Sequence, residues 1–443
     1  MNIKDLIKKI IFFCRIAAFF LLLLINSFAE GITENSLAAK TKELTSYFIE
    51  YFMHPKTRLI YQEQIKGERK QEFETPEEIK KGNVAGKLDA RGYGSGIQNT
   101  SLFTGHLLYA LIEAYEAKND PDLEKWIKDF FQGMKLLGSI SPVPGFVPRG
   151  PHPDDFTAYY TDSSVDQHTT YVYALWRYYR SKFASDSDKK FIRESVEKVG
   201  KRLEESAWLI KVEDNSKKAH ASGAPMINMT SENAAVLLCL LSAFYDITGN
   251  NHWLDLYKIF SAENNGERWK MLVPDDKSEL GNIYYVNQKA FQLNTLYLIE
   301  KDIEKRKIIL AALKKHAQRQ LDRTYPDGKD LEKLQVKLTD TLKQELKWSS
   351  VPFNGMFKAW EMYVPGLKGT TGILAHTYCV RMPLTGFVMA MFSHDKELVK
   401  KTSSVIWEMM NKVPYRELGG VEINLYMAVT ALQLYKDYFS PKE

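Results

Sequence analysis

Two kinds of helical segment alternate along this chain, and that alternation restricts the possible folds more than any motif does. Beyond residue 30, apolar residues recur at helical spacing almost throughout and convincing alternation of period two is scarce, so the chain reads as all-α. One kind of helix, over 99–118, 164–180, 230–248, 286–300, 383–392 and 421–438, is apolar and rich in small residues on nearly every face, as a helix covered on all sides must be. The other kind is amphipathic and charge-rich, over 34–52, 122–137, 186–208, 251–260, 302–321 and 396–412. Helices of the first kind are satisfied only inside a layer of the second. Six inner and about six outer helices therefore predict helical hairpins arranged in a closed ring, as one domain over 30–443. A charged stretch over 330–345 reads as a solvated extra helix inserted into the fifth hairpin.

Residues 1–29 stand apart. Lys4, Lys8 and Lys9 form a positive head, 10–25 is apolar apart from Arg15, and Ser27-Phe28-Ala29 puts small residues at the two positions a signal peptidase reads. A signal peptide cleaved after Ala29 is expected, which makes the body of the protein secreted or periplasmic. An uncleaved anchor is the weaker reading, because Arg15 leaves only 16–25 uninterrupted and a span needs ~20 residues. No other stretch is long and apolar enough to cross a bilayer, so no membrane partner is expected after cleavage. The net charge is only +5, and the leader's cations account for much of it, which excludes a generic polyanion binder and argues against nucleic acid as a partner. Three cysteines, one of them Cys14 in the leader, cannot form a disulfide scaffold, so stability has to come from packing.

The connections are unequal. Loops leading into the inner helices, over 81–98, 139–163 and 348–382, are long and rich in Gly, Pro and aromatic residues, whereas those after them, such as Asn119-Asp120, are short and polar. Long ordered loops tend to carry function, so the functional face is expected where the inner helices begin. Hairpins closing at Tyr245-Asp246-Ile247-Thr248-Gly249-Asn250, and inner helices opening at motifs such as Gly94-Ser95-Gly96-Ile97-Gln98-Asn99, resemble the six-hairpin glycosidase-like superfamily over nearly the whole of 30–443. The resemblance implies an (α/α)6 toroid. Members of that superfamily include glycoside hydrolases, unsaturated glucuronyl hydrolases, polysaccharide lyases and sugar epimerases, so the fold alone does not choose the reaction.

Candidate site residues are those at the inner helix starts. Ser164 and Gln167 suggest a capping box that opens a helix at Val165 and sets Asp166 in its first turn, where the helix dipole suits a base, a nucleophile or an anchor for hydroxyls. Asp162, beside Tyr159 and Tyr160, is placed to be a general acid if those rings keep its carboxyl protonated. Glu232 follows a Thr230 cap, with Asn228 just upstream, and Glu422 repeats the arrangement in the last inner helix. His168, Gln98, Asn99, Arg149, Tyr160, His376, Tyr378 and Arg381 complete the expected substrate-binding set, Arg381 lying just before the first-turn proline Pro383. A mouth rimmed by helix N-termini and strengthened by Arg149 and Arg381 is electropositive and favours an anionic ligand. Tyr93, Phe146, Tyr159, Tyr160, Tyr171, Trp348, Trp360, Tyr363 and Tyr378 would supply rings to stack on a sugar. Together they point to an acidic sugar such as a uronate.

No Walker loop, His-Glu-x-x-His, Cys-x-x-Cys or Gly-x-Ser-x-Gly motif is present, and neither a cofactor nor a metal is called for; His152, Asp154 and Asp155 read as a solvated loop. The leading expectation is an exported glycoside hydrolase using two carboxyl groups, ~5 Å apart for retention or ~6.5 to 9.5 Å for inversion. Asp166 is taken as base or stabiliser and Asp162 or Glu232 as acid. The alternatives are a polysaccharide lyase, in which His168, His376, Tyr160, Tyr378, Asn228 and Arg381 act on a uronate, and a non-catalytic carbohydrate-binding protein on the same scaffold.

Overall fold

The computed structural model describes residues 32–440 apart from 68, 69, 71, 275–282, 324–380, 414, 419 and 420. The expected leader with its cleavage point, the extra helix over 330–345, and Trp348, Trp360, Tyr363, His376 and Tyr378 lie outside the described residues.

Most of the described residues are helical, and strand is confined to one short ribbon among them. Helix α1 (Glu34–Phe52) opens with a reciprocal capping box between Thr33 and Ser36. A short helix α2 (Pro76–Lys80) lies just ahead of the stretch 81–98 read as loop, and a two-stranded antiparallel ribbon, β1 (Asn83–Val84) with β2 (Lys87–Leu88), occupies part of it. Next come α3 (Thr100–Lys118), α4 (Pro121–Leu137), α5 (Val165–Tyr179) and α6 (Asp186–Glu205). Helix α3 is buried at every position from Thr100 to Tyr115 and stops at Asn119, whose left-handed φ of 56° breaks the helical path. Helix α4 begins on Pro121, which fits the first turn because its missing N–H is not needed there.

Helix α7 (Ser231–Thr248) ends at Gly249, left-handed at φ 67°, and α8 (Asn251–Lys270) follows after one residue. The backbone of α8 leaves helical geometry at Glu263–Gly266, close to where the charge pattern runs out. The remaining helices are α9 (Ile283–Ile299), α10 (Ile303–Arg323), α11 (Met382–Phe392), α12 (Lys396–Lys412), the single turn α13 (Tyr415–Leu418) and α14 (Val421–Phe439).

The apolar helices pack on one another in sequence order: α3 on α5, α5 on α7, α7 on α9, α9 on α11, α11 on α14, and α14 back on α3. The charged helices lie against them, with α1 on α14, α4 on α3 and α5, α6 on α5 and α7, α8 on α7, α10 on α9 and α11, and α12 on α11. Aromatic side chains fill the space between the apolar helices. His106 of α3 stacks on Phe291 of α9 with ring centres 4.5 Å apart, and Tyr109 meets Phe291 edge-on at 5.2 Å. The His106 Nε2 lies 2.6 Å from the Tyr173 hydroxyl of α5, and its Nδ1 3.3 Å from that of Tyr426 of α14. Burial, with the nearby Arg381 adding to it, pushes the His106 imidazole down to about 3, so this ring is a neutral structural group at neutral pH.

Candidate functional site

The starts of α3 and α5 are joined by a buried polar network, and Arg149 is its centre. The loop ahead of α5 brings Arg149 to the first turn of α3, where both the backbone N–H and the hydroxyl of Thr100 donate to its carbonyl, at 2.9 and 2.6 Å. Gly150 follows because nothing larger fits: a Cβ there would lie 2.5 Å from the Thr100 side chain. The Arg149 guanidinium is 0% exposed. It donates to the Gln98 carbonyl at 3.2 Å, the Asn99 side-chain oxygen at 3.4 Å, the Ser163 carbonyl at 3.3 Å and the Tyr93 hydroxyl at 3.4 Å. All of these partners are neutral.

Asn99 extends the network in both directions, accepting from Gln167 Nε2 at 3.1 Å and donating to Gln62 Oε1 at 3.3 Å. Two of its buried polar atoms, Arg149 Nε and Gln167 Oε1, have no hydrogen-bond partner among the described residues. An enclosed cation among neutral acceptors costs free energy that a packed core would avoid, and such costs persist mainly where function requires them. Tyr93 closes the cluster toward the surface. Its ring lies between two guanidiniums, with Arg149 at 4.8 Å and Arg91 at 5.0 Å from the ring centre. The Arg149 guanidinium is thus enclosed, and its surroundings meet the surface through Tyr93.

Asp166 stands in the first turn of α5 as expected, half-buried. The Ser164–Gln167 capping box does not form. The Ser164 hydroxyl instead bonds the Asp166 carboxylate, which also accepts the Gln167 N–H at 3.1 Å, and the Gln167 side chain is drawn away to Asn99. Asp162 is 5% exposed and accepts the His220 backbone N–H at 3.0 Å. The tyrosines expected to shelter its proton are committed elsewhere, Tyr159 to Glu213 at 2.6 Å and Tyr160 to the Asn83 carbonyl at 2.8 Å.

Several expected ligand contacts are corrected by burial. His168 is 1% exposed; its Nδ1 lies 3.1 Å from the Ser164 carbonyl, and its Nε2 accepts the Val147 N–H at 3.3 Å. Burial holds this imidazole down at about 3, so it is a neutral strut and not a proton shuttle. Tyr160, Tyr171, Phe146 and Tyr159 are core rings, Tyr160 packing so closely on Gly92 that a Cβ there would come within 2.2 Å of it. Among the described rings expected to stack on a sugar, only Tyr93 keeps substantial exposure. Arg381, 1% exposed, is paired with Glu422, so these two converge on each other and tie α11 to α14. Asn228 is exposed, its backbone folded into a turn on Pro225. Glu232 does follow a Thr230 cap, whose side chain accepts the Asn233 N–H at 3.2 Å.

Two ionisable residues emerge that the sequence reading did not single out. Glu63 follows Gln62, whose N–H donates to the Gly96 carbonyl at 2.7 Å, so it is anchored beside the start of α3. It is half-buried, and desolvation raises its carboxyl well above the usual range. The amides of Gln62, Asn99 and Gln167 thus link the chain segments that carry Glu63 and Asp166. Lys289, on α9, is buried near Glu232, and burial lowers it to about 8 despite the neighbouring carboxylate.

No protein-family model matches the chain, and no curated protein matches it.

Proposed function

We propose that this protein is an exported glycoside hydrolase on an (α/α)6 toroid, acting on an oligo- or polysaccharide that contains acidic sugars. The successive contacts of the six apolar helices, returning from α14 to α3, support the toroid. One observation carries the choice of ligand: Arg149 is fully buried with only neutral partners beneath the half-buried Tyr93, so an uncompensated positive field meets the surface there.

Hydrolysis needs one carboxyl that carries a proton and one that does not. Asp166 is the base or electrostatic stabiliser, held by Ser164 and the Gln167 N–H at a helix start. The proton donor passes from Asp162 and Glu232 to Glu63. Asp162 is enclosed and tied to backbone, and Glu232 sits beside the cation Lys289, whereas Glu63 is half-buried and desolvated in a way that favours its protonated form. The lyase reading weakens in proportion, because His168 and Tyr160 are taken up by backbone and Arg381 by Glu422.

The test is incubation of the purified chain with a panel of uronate-containing oligosaccharides, following reducing ends and ultraviolet absorbance together. The expected result is new reducing ends without absorbance, reduced at least 100-fold in Asp166→Asn and in Glu63→Gln, on the scale typical of a lost acid or base. Reducing ends that rise with absorbance would mean elimination and overturn hydrolysis.

A further inference from the structure

A second polar cluster lies between α7, α9 and α10, and neither the hydrolytic carboxyls nor Arg149 uses it. Lys289 is 5% exposed, and among the described residues its ammonium donates only to the Ser231 carbonyl, at a long 3.4 Å. Glu232 of α7 favours its charge and Arg319 of α10 opposes it, while Lys289 in turn acts on His316 of α10. His316 is 7% exposed; one ring nitrogen is taken by the Leu272 backbone, and its Nε2 has no hydrogen-bond partner.

The chemistry of the pair follows from these contacts. Burial together with Lys289 and Arg319 keeps His316 neutral, so with one nitrogen donating to a carbonyl the other is a bare acceptor. A buried ammonium with donors to spare beside a bare imidazole acceptor matches a group that is negative at one atom and donates at the next, as a carboxylate does beside a hydroxyl. Lys289 lies in the first half of α9, and its bond to Ser231 sets it beside the start of α7, where Glu232 stands in the first turn.

We propose that Lys289 and His316 form a subsite for a carboxylate-bearing sugar, Lys289 holding the carboxylate and His316 Nε2 accepting from a neighbouring hydroxyl. This rests on the acidic-sugar reading above and assigns the acid group to a place distinct from Arg149. Binding a carboxylate favours the charged amine, so above pH 8 the complex takes up a proton at Lys289.

The experiment is calorimetric titration of the full chain with D-glucuronate, and with D-glucose as the uncharged control, at pH 7 and at pH 8.5 in two buffers of different ionisation enthalpy. Glucuronate is expected to bind at least ten-fold more tightly than glucose, with proton uptake at pH 8.5. Lys289→Met keeps the apolar stem and should lose at least ten-fold in glucuronate affinity together with the proton uptake; His316→Asn should weaken binding and retain the uptake. Glucuronate binding that is absent, or unchanged in Lys289→Met, overturns the subsite. The two readings separate cleanly. Uronate oligosaccharides cut normally by a chain whose glucuronate binding ignores Lys289→Met would remove the subsite alone, whereas Lys289-dependent binding with no cleavage of any oligosaccharide would remove the hydrolase alone.

Discussion

Lys289 and Glu63 carry opposite signs but share a thermodynamic predicament, since each is most at ease in its neutral form. Lys289 has a folded pKa of about 8 against an ordinary 10.5, so folding is penalised wherever the amine must be charged, fully below pH 8 and not at all above about pH 10.5. Lys289→Met should therefore stabilise the fold by roughly 3 kcal/mol at pH 7, and the gain should fade as pH rises from 8 toward 10.5, as read from denaturant midpoints across pH. Glu63 runs the other way: its raised folded pKa penalises the ionised form, so Glu63→Gln should raise the melting temperature at pH 7 and leave it unchanged at pH 3. Neither residue announced itself in the sequence. Lys289 reads as one polar interruption of an apolar helix, and Glu63 falls between two glutamines in a stretch without periodicity. What makes them unusual is which neighbours burial gives them, which is a tertiary property. Asn99, Gln98 and Arg149 were legible because a helix start and a glycine-rich approach limit where such side chains go. His168 and Tyr160 misled because a polar side chain near a helix start can bond backbone as readily as a ligand.

At the scale of elements, a close joint near the site lies between α3 and α5. A Cβ at Gly105 would lie 2.4 Å from Thr170 Cγ2 and 3.2 Å from the Ala174 Cβ, so these two helices meet as closely as a glycine allows. Alanine is the better helix former by about 1 kcal/mol, yet Gly105→Ala should destabilise by roughly 1–3 kcal/mol because overpacking outweighs propensity, a sign that urea denaturation would decide. Farther along α3, Glu113 binds Arg177 of α5 at 2.8 Å and Lys436 of α14. Burial alone would raise this carboxyl, but Lys436 and Arg177 together outweigh it and hold it at about 2. Its contribution to stability is present above pH 4.5 and disappears as pH falls from 4.5 toward 2. Glu113→Gln should cost roughly 1–3 kcal/mol at pH 7, because the buried Arg177 keeps only Glu116 and the half-buried Lys436 loses its carboxylate, and much less near pH 2. The element boundaries were readable to within a few residues, since periodicity and capping are local. The contacts that Gly105 and Glu113 make across helices were not, since nothing local says which apolar faces will meet.

Over the whole molecule, the last helix is attached to the first ones. Helix α14 packs on both α1 and α3, the Thr41 hydroxyl donates to the Ala431 carbonyl at 3.3 Å, and the Tyr415 hydroxyl donates to Glu43 at 2.7 Å. Removal of 421–443 should therefore abolish cooperative melting altogether, instead of shaving a fraction from it, and leave a species that binds hydrophobic dyes; a truncated chain that melts sharply would show that the remaining helices stand alone. The alternation of helix types foretold two layers, and their order of contact follows the order of the chain, which is why so much of the architecture was visible in advance. The meeting of chain ends has a further consequence in time. A contact between residues 41 and 431 spans 390 positions, so helices made early hold an apolar face open until the final stretch of chain has emerged. Such a protein should fold slowly and late, and throughout synthesis and any passage through a membrane its survival would depend on whatever shields those unpaired faces from one another.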